Sequence, residues 1–310
     1  MSDSIFSDSL LFSFGETPSS SSGISDKGRV RESNQDQFMI AQLNKSMMVG
    51  QTSLPVEDRL FGGEQAEVLL VADGMGGHAA GEKASQLAIG HLVHRLLDSV
   101  RWIFDGGRQD SEREEEFIED LKDALKDVHA KLLLEGNRNS SHFGMGTTLT
   151  MGLLIWPRLY VVHAGDSRCY LIRDGEAEQL TTDHTLARQM VESGGLKPED
   201  EADSKWSNVL WNVLGGGRTD GEFIAEVRRV VLEPGDSIVL CSDGLHRYVD
   251  REKLGSMVSN AESTEDACKV LVALANQSGG EDNITVVVSR PESEDGGRTT
   301  WVDDFDTAVP

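Results

Sequence analysis

TTLTMGLLIWPRLYVVHAGDSRCYLIRDG, residues 147–175, is the stretch on which the architecture turns. Apolar or β-branched runs at 147–155, 159–164 and 169–173 are punctuated by Pro157, Gly165 and the pair Asp174-Gly175. An Asp-Gly pair between short strands marks a tight hairpin, so the stretch reads as an antiparallel meander. Three helical segments lie well away from it. Residues 84–97 carry Leu87, Leu92, Val93, Leu96 and Leu97 at three- and four-residue steps. Residues 112–134 place Phe117, Leu121, Leu125, Val128 and Leu132 on one face behind an acidic first turn that suits the helix dipole. A third helix at 264–276 has Ala267, Val270, Leu271 and Leu274 as its stripe. Strands and helices that segregate in this way predict an α+β layered domain, not βαβ units.

The flanks read differently. Residues 1–23 are Ser-rich and aperiodic and are expected to form a disordered arm; residues 292–310 are acidic and aperiodic, with Trp301 and Phe305 as their only large aromatics. The folded body is therefore expected at 24–291. Between Asp36 and Asp73, Gly50, Pro55 and Gly62-Gly63 suggest an inserted hairpin or loop.

The 310 residues, 38% hydrophobic, are enough for one substantial core. A formal charge of −24 argues against nucleic acid or an anionic membrane as partner, because the chain repels phosphate backbones at long range. Any phosphate handled here must be attracted locally, by a metal or an arginine. Cys169, Cys241 and Cys268 are odd in number and widely spaced, which excludes a disulfide framework and a zinc site. The N-terminal residues lack a basic region and the cluster Leu10-Leu11-Phe12 is too short for a signal peptide. No run approaches the roughly 18 apolar residues of a membrane span, so a reducing cytoplasm is the expected compartment.

Three apolar runs meet an aspartate at their ends. Leu69-Leu70-Val71-Ala72 leads into Asp73-Gly74, Ile238-Val239-Leu240-Cys241-Ser242 leads into Asp243-Gly244, and Glu281-Asp282-Asn283 precedes Ile284-Thr285-Val286-Val287-Val288. An ionised carboxylate at the edge of a buried strand needs a cation or a dense hydrogen-bond shell. Three such ends suggest one site for a hard divalent ion, Mg²⁺ or Mn²⁺, which takes oxygen ligands and keeps several waters. Two ions about 3.5–4 Å apart lower the pKa of a shared water and prepare it to attack phosphorus. On composition alone Arg29 and Arg31 compete as the phosphate-binding arginine.

Six motifs occur in the order of one family. They are Ser25-Asp26-Lys27-Gly28-Arg29-Val30-Arg31-Glu32-Ser33-Asn34-Gln35-Asp36, Asp73-Gly74-Met75-Gly76-Gly77-His78-Ala79-Ala80-Gly81-Glu82, Gly144-Met145-Gly146-Thr147-Thr148, Gly165-Asp166-Ser167-Arg168, Ser242-Asp243-Gly244-Leu245 and Glu281-Asp282-Asn283-Ile284-Thr285. Over residues 24–290 the chain resembles the PPM family, the type 2C-like metal-dependent serine/threonine protein phosphatases, in its bacterial stand-alone form. The resemblance implies an α-β-β-α sandwich of two antiparallel sheets flanked by helices, with a binuclear Mn²⁺ or Mg²⁺ centre at one end. It implies Asp73 as bridging ligand, the Gly74 carbonyl on one ion, and Asp243 and Asp282 on the other. Asp166, with Asp243, matches a third, weaker metal site. Asp36 matches a carboxylate that orients water, and Arg31 matches the arginine that grips substrate phosphate, a role its planar fork suits.

Two positions depart from the family pattern. Gln35 stands where many members have Glu, which removes a charge near the metals. Met75 stands where animal members have a histidine, leaving His78 either as the proton donor or as an ordinary loop histidine. Residues 186–217 match the family's flap, whose Trp206 and Trp211 are either packing anchors or a docking surface. His142, His163 and His184 are expected to be structural, and Arg168 to pair with a carboxylate. Implied partners are phosphoprotein substrates and an opposing serine/threonine kinase, for a monomer. A silent family member that only binds, and a phosphatase with an attached sensor, are the alternatives; the intact carboxylates argue against the first and the length against the second.

Overall fold

A computed structural model describes residues 19–44, 65–98, 111–216 and 223–291. In chain order its principal elements are β1 (Ser19–Asp26), β2 (Gln37–Asn44), β3 (Gln65–Ala72), β4 (Gly74–Met75), α1 (His78–Asp98), α2 (Ser111–Arg138), β5 (Gly146–Thr147), β6 (Leu149–Ile155), β7 (Arg158–Ala164), β8 (Arg168–Arg173) and β9 (Glu176–Gln179). There follow α3 (Leu186–Glu192), β10 (Leu214–Gly215), β11 (Glu226–Val231), β12 (Ser237–Cys241), α4 (Asp243–His246), α5 (Arg251–Asn260), α6 (Thr264–Gln277) and β13 (Ile284–Pro291). Two five-stranded antiparallel sheets form, in the orders β1-β13-β12-β8-β9 and β11-β7-β6-β3-β2, with a small sheet β10-β5-β4 beside them.

Strand alternation builds the layers. Successive side chains point to opposite faces, so a strand buried on both sides is apolar throughout. In β3, Leu69 and Val71 enter the cluster between the sheets with Leu159, Val161, Leu171, Ile238, Leu240 and Val287. Their neighbours Val68, Leu70 and Ala72 face α1 and α2, against Ala84, Ala88, Leu92, Phe117, Leu121 and Leu125. On the other sheet Val239, Val286 and Val288 pack outward against Leu254, Val258, Ala267, Leu271 and Ala275 of α5 and α6. The α-β-β-α sandwich expected from the resemblance is the fold of the chain.

The hairpin from β8 to β9 turns at Asp174 and Gly175, with φ of 52° and 82°. Both lie in the left-handed region that a two-residue type I′ turn demands, which is why Asp-Gly sits there. Cys169, Cys241 and Cys268 are buried and free. No helix among the described residues is long and apolar enough to cross a membrane.

One expected boundary is corrected. Residues 19–23, assigned to the disordered arm, belong to β1, which pairs with β13 from Ser19↔Pro291 to Asp26↔Ile284. Serine gives no apolar signal, but its hydroxyls are satisfied here. Ser22 Oγ meets Thr264 Oγ1 at 2.9 Å, and Ser21 Oγ donates to Glu67 Oε1 at 2.5 Å. The rest of the arm, the loop anticipated between Asp36 and Asp73 at 45–64, and the tail from 292 lie outside the described residues.

Candidate active site

One end of the sandwich opens into a cleft of about 430 Å³. Its walls include Arg31, Gln35, Asp73, Gly74, Asp166, Asn208, Leu210, Asp243, Arg247 and Asp282. The fold explains the meeting. Asp73 follows β3, Asp243 follows β12 and opens α4, and Asp282 lies just before β13, so three strand ends deliver carboxylates to one place.

Asp73 is fixed through its backbone. Its N–H donates to Thr148 Oγ1 at 3.0 Å, and its carbonyl accepts from Thr148 N at 2.9 Å and Thr147 Oγ1 at 2.8 Å. Gly74 must be glycine, because a Cβ would stand 2.2 Å from Gly81 O. Gly244 is held as tightly, its would-be Cβ 2.0 Å from Asn283 O. Gly244→Ala is therefore expected to cost about 1–3 kcal/mol through overpacking, read as a Tm lowered by several degrees. An unchanged Tm would show that the two strand ends are not locked together there.

Asp36 is buried behind the cleft and is not part of its lining. Its Oδ2 accepts from Ser242 Oγ and Thr285 Oγ1, both at 2.7 Å, while Oδ1 has no partner. Burial pushes its carboxyl up to about 7; the two hydroxyls oppose that, and the charges of Asp243 and Asp282 add to it. Burial likewise raises Asp73, with Asp36, Asp243 and Asp166 reinforcing the shift. Asp166 and Asp243 are raised as well, again chiefly by burial. Carboxylates that raise one another in this way form a site short of positive charge.

The carboxylates share the cleft without closing on a point. Among the described residues, no three acidic, histidine or cysteine side chains stand in position to hold one ion. Two arginines account for part of this. Arg31 Nη2 lies 2.8 Å from Asp282 Oδ2, and Arg247 donates from Nη2 to Asp243 Oδ2 while its Nη1 is 3.8 Å from Asp282 Oδ2. The buried Oδ1 of Asp243 is left without a partner. An all-oxygen donor set, mutually repelling and with an orphaned buried oxygen, suits hard divalent cations.

Arg31 lines the cleft and Arg29 does not. His78 is the first residue of α1, and its side chain lies outside the described part of the structure. Arg168 pairs with Asp183 through Nε and Nη2 as expected, the latter at 2.6 Å. His163 is buried between Thr150 Oγ1 and the carbonyls of Gly165 and Thr182, and burial holds it down to about 4. His184 accepts from Gly165 N and meets Asn212 Nδ2, His142 lies 3.4 Å from Glu135, and none of the three lines the cleft.

Within the flap region, Trp211 packs on the His184 ring at 5.1 Å, whereas Trp206 is 37% exposed. The flap's contributions to the cleft are Asn208 and Leu210 instead of either tryptophan, which sequence alone did not indicate. Arg247 was missed as well. The available signal was its position four residues after Asp243, one helical turn on.

The chain is similar to known proteins. The family model described as protein phosphatase 2C matches residues 50–284. The serine/threonine protein phosphatase PstP of Mycobacterium tuberculosis is 37% identical over 243 residues, which are 78% of this chain and 43% of that protein; the chain thus spans less than half the length of this relative. The serine/threonine phosphatase stp of Listeria monocytogenes is 29% identical over 273 residues, 88% of this chain and 96% of that one. The solved catalytic domain of PstP in complex with two manganese ions aligns with a TM-score of 0.62 at 30% identity, covering 88% of this chain and 97% of that one.

Proposed function

The chain belongs to the protein phosphatase 2C family, and from that membership we propose that it is a metal-dependent phosphatase hydrolysing phosphoserine and phosphothreonine on proteins. The observation that carries the reading is the cleft, where Arg31 stands among Asp73, Asp166, Asp243 and Asp282 at the ends of rigid strands. Asp73, the Gly74 carbonyl, Asp243 and Asp282 would hold two Mn²⁺ or Mg²⁺ ions, and Asp166 with Asp243 a third. Bound there, the ions supply Lewis acidity and a water of lowered pKa.

The chain's own groups do the rest. Arg31 exchanges Asp282 for the phosphoryl oxygens and orients them with two N–H donors. Asp36, pinned by Ser242 and Thr285, keeps Oδ1 available to hold a water by hydrogen bond. His78 is the proton donor proposed for the leaving alkoxide. Asn208 and Leu210 bring the flap against whatever flanks the phosphorylated residue. Its proposed substrates are the products of a serine/threonine kinase, met by a cytoplasmic monomer.

The test is phosphate release from phosphothreonine and phosphotyrosine peptides in Mn²⁺. Turnover of the first is expected; none with either would sink the proposal. Arg31→Ala should lower kcat/KM by roughly ten- to a hundredfold, the loss of a charge-assisted contact worth about 1.5–3 kcal/mol. Because the Arg31 side chain is 53% exposed and its charge is screened, metal affinity by calorimetry should change by less than about threefold. A collapse with Arg29→Ala and none with Arg31→Ala would place the phosphate contact two residues earlier.

A further inference from the structure

We propose that Arg247 is a tethered counter-cation that competes with a divalent ion for the Asp243–Asp282 pair and so sets how tightly the site takes its metal. The proposal rests on the reading of Asp243 and Asp282 as ligands of one ion. Arg247 caps α4, and its guanidinium lies across both carboxylates, bonded to Asp243 Oδ2 and 3.8 Å from Asp282 Oδ2. The Asp243 side chain is only 9% exposed and that of Arg247 33%. Their charge-assisted bond is consequently less screened than that of Arg31, and bonds of this kind are about twice as strong as neutral ones.

An ion approaching this pair meets one oxygen already capped and a positive charge beside it. Asp243 Oδ1 is buried and without a partner, while Oδ2 is compensated from the other side by the guanidinium. Loading the ion requires the guanidinium to give up Asp243 Oδ2 or to remain as a repelling neighbour. Either course weakens binding. Apart from Arg31, Arg247 is the only cation among the described residues that line the cleft, which makes its effect separable. In the metal-free protein the same contact relieves the repulsion between Asp243 and Asp282, so Arg247 stabilises the fold when the ion is absent and opposes the ion when it arrives.

The experiment is a calorimetric Mn²⁺ titration of the full chain as wild type, Arg247→Gln, Arg247→Lys and Asp243→Asn. The binding lost in Asp243→Asn but kept in Asp166→Asn, titrated alongside, defines the ion in question. Arg247→Gln is expected to tighten that ion by about tenfold or more. Arg247→Lys, which keeps the charge, should stay within about threefold of wild type. In thermal melts Arg247→Gln should start from a lower metal-free Tm and gain more from Mn²⁺ than wild type does. Arg247→Met, apolar and similar in reach, gives the same readouts if the glutamine variant does not fold. Unchanged or weaker Mn²⁺ binding by the neutral variants, or tightening by Arg247→Lys, overturns the proposal alone. Wild-type Mn²⁺ binding by Asp243→Asn overturns it together with the ligand assignment.

Discussion

Asp73→Asn lowers turnover of a phosphothreonine peptide by at least about a thousandfold while the fold survives. The side chain, not the backbone, is what the substitution changes. Asp73 is held in place by three backbone hydrogen bonds, its N–H donating to Thr148 Oγ1 and its carbonyl accepting from Thr147 Oγ1 and Thr148 N, and asparagine retains all three. The carboxylate itself is raised by burial and by Asp36, Asp243, Asp166 and Asp282, so in the metal-free protein its negative charge is a destabilising element. A neutral isostere removes repulsion there, and the metal-free Tm should equal or exceed that of wild type. What is lost is the only carboxylate assigned to both ions. Phosphate release, circular dichroism and a melting curve on one preparation separate the two effects. Near-normal turnover would show that Asp73 is not a ligand.

Much of this was legible because burial writes itself into sequence. Apolar or β-branched strands such as residues 68–72 and 284–288 signal a layer covered on both sides, and an aspartate at the end of each is conspicuous against that background. The helices announced themselves by period, although α1 begins six residues before the expected start at 84 and α2 runs four residues past the expected end at 134. What escaped was whatever depends on polar partners distant in the chain. Ser19–Asp26 forms a strand because Thr264, Glu67 and β13 supply its hydrogen bonds, and none of these is local. The two-residue strands β4, β5 and β10 are too short to leave a pattern. Arg247 left no signal toward Asp282 in the sequence, since only the folded chain shows that carboxylate on its far side. Convergence was half legible: strand ends fix where a carboxylate begins, while the arginines beside it decide which way it turns.

With divalent ions chelated, turnover stops and stability falls as pH rises from about 4 to about 7, opposite to ordinary acid denaturation. The cause is Asp36 and its neighbours. Burial pushes Asp36 from an ordinary 3.8 up to about 7, against the pull of Ser242 and Thr285 and with the help of Asp243 and Asp282. Asp73, Asp166 and Asp243 move in the same direction, burial first. Below the unfolded value both states carry the proton and nothing is lost. Between the two values the unfolded chain has released it while the folded chain still holds it, so each step up in pH favours unfolding. For Asp36 alone the loss is on the order of 4 kcal/mol across the window. Mn²⁺ reverses the situation, because ligands must be deprotonated to bind and the ion supplies the charge that the buried carboxylates lack. Melting curves at about pH 5 and about pH 8, in chelator and in Mn²⁺, make the comparison. In chelator the Tm should drop between the two, and Mn²⁺ should restore most of it at the higher pH together with turnover. A chelated protein that is equally stable at both, or that still releases phosphate, would mean that the carboxylates behind and around the cleft are compensated by something other than a metal.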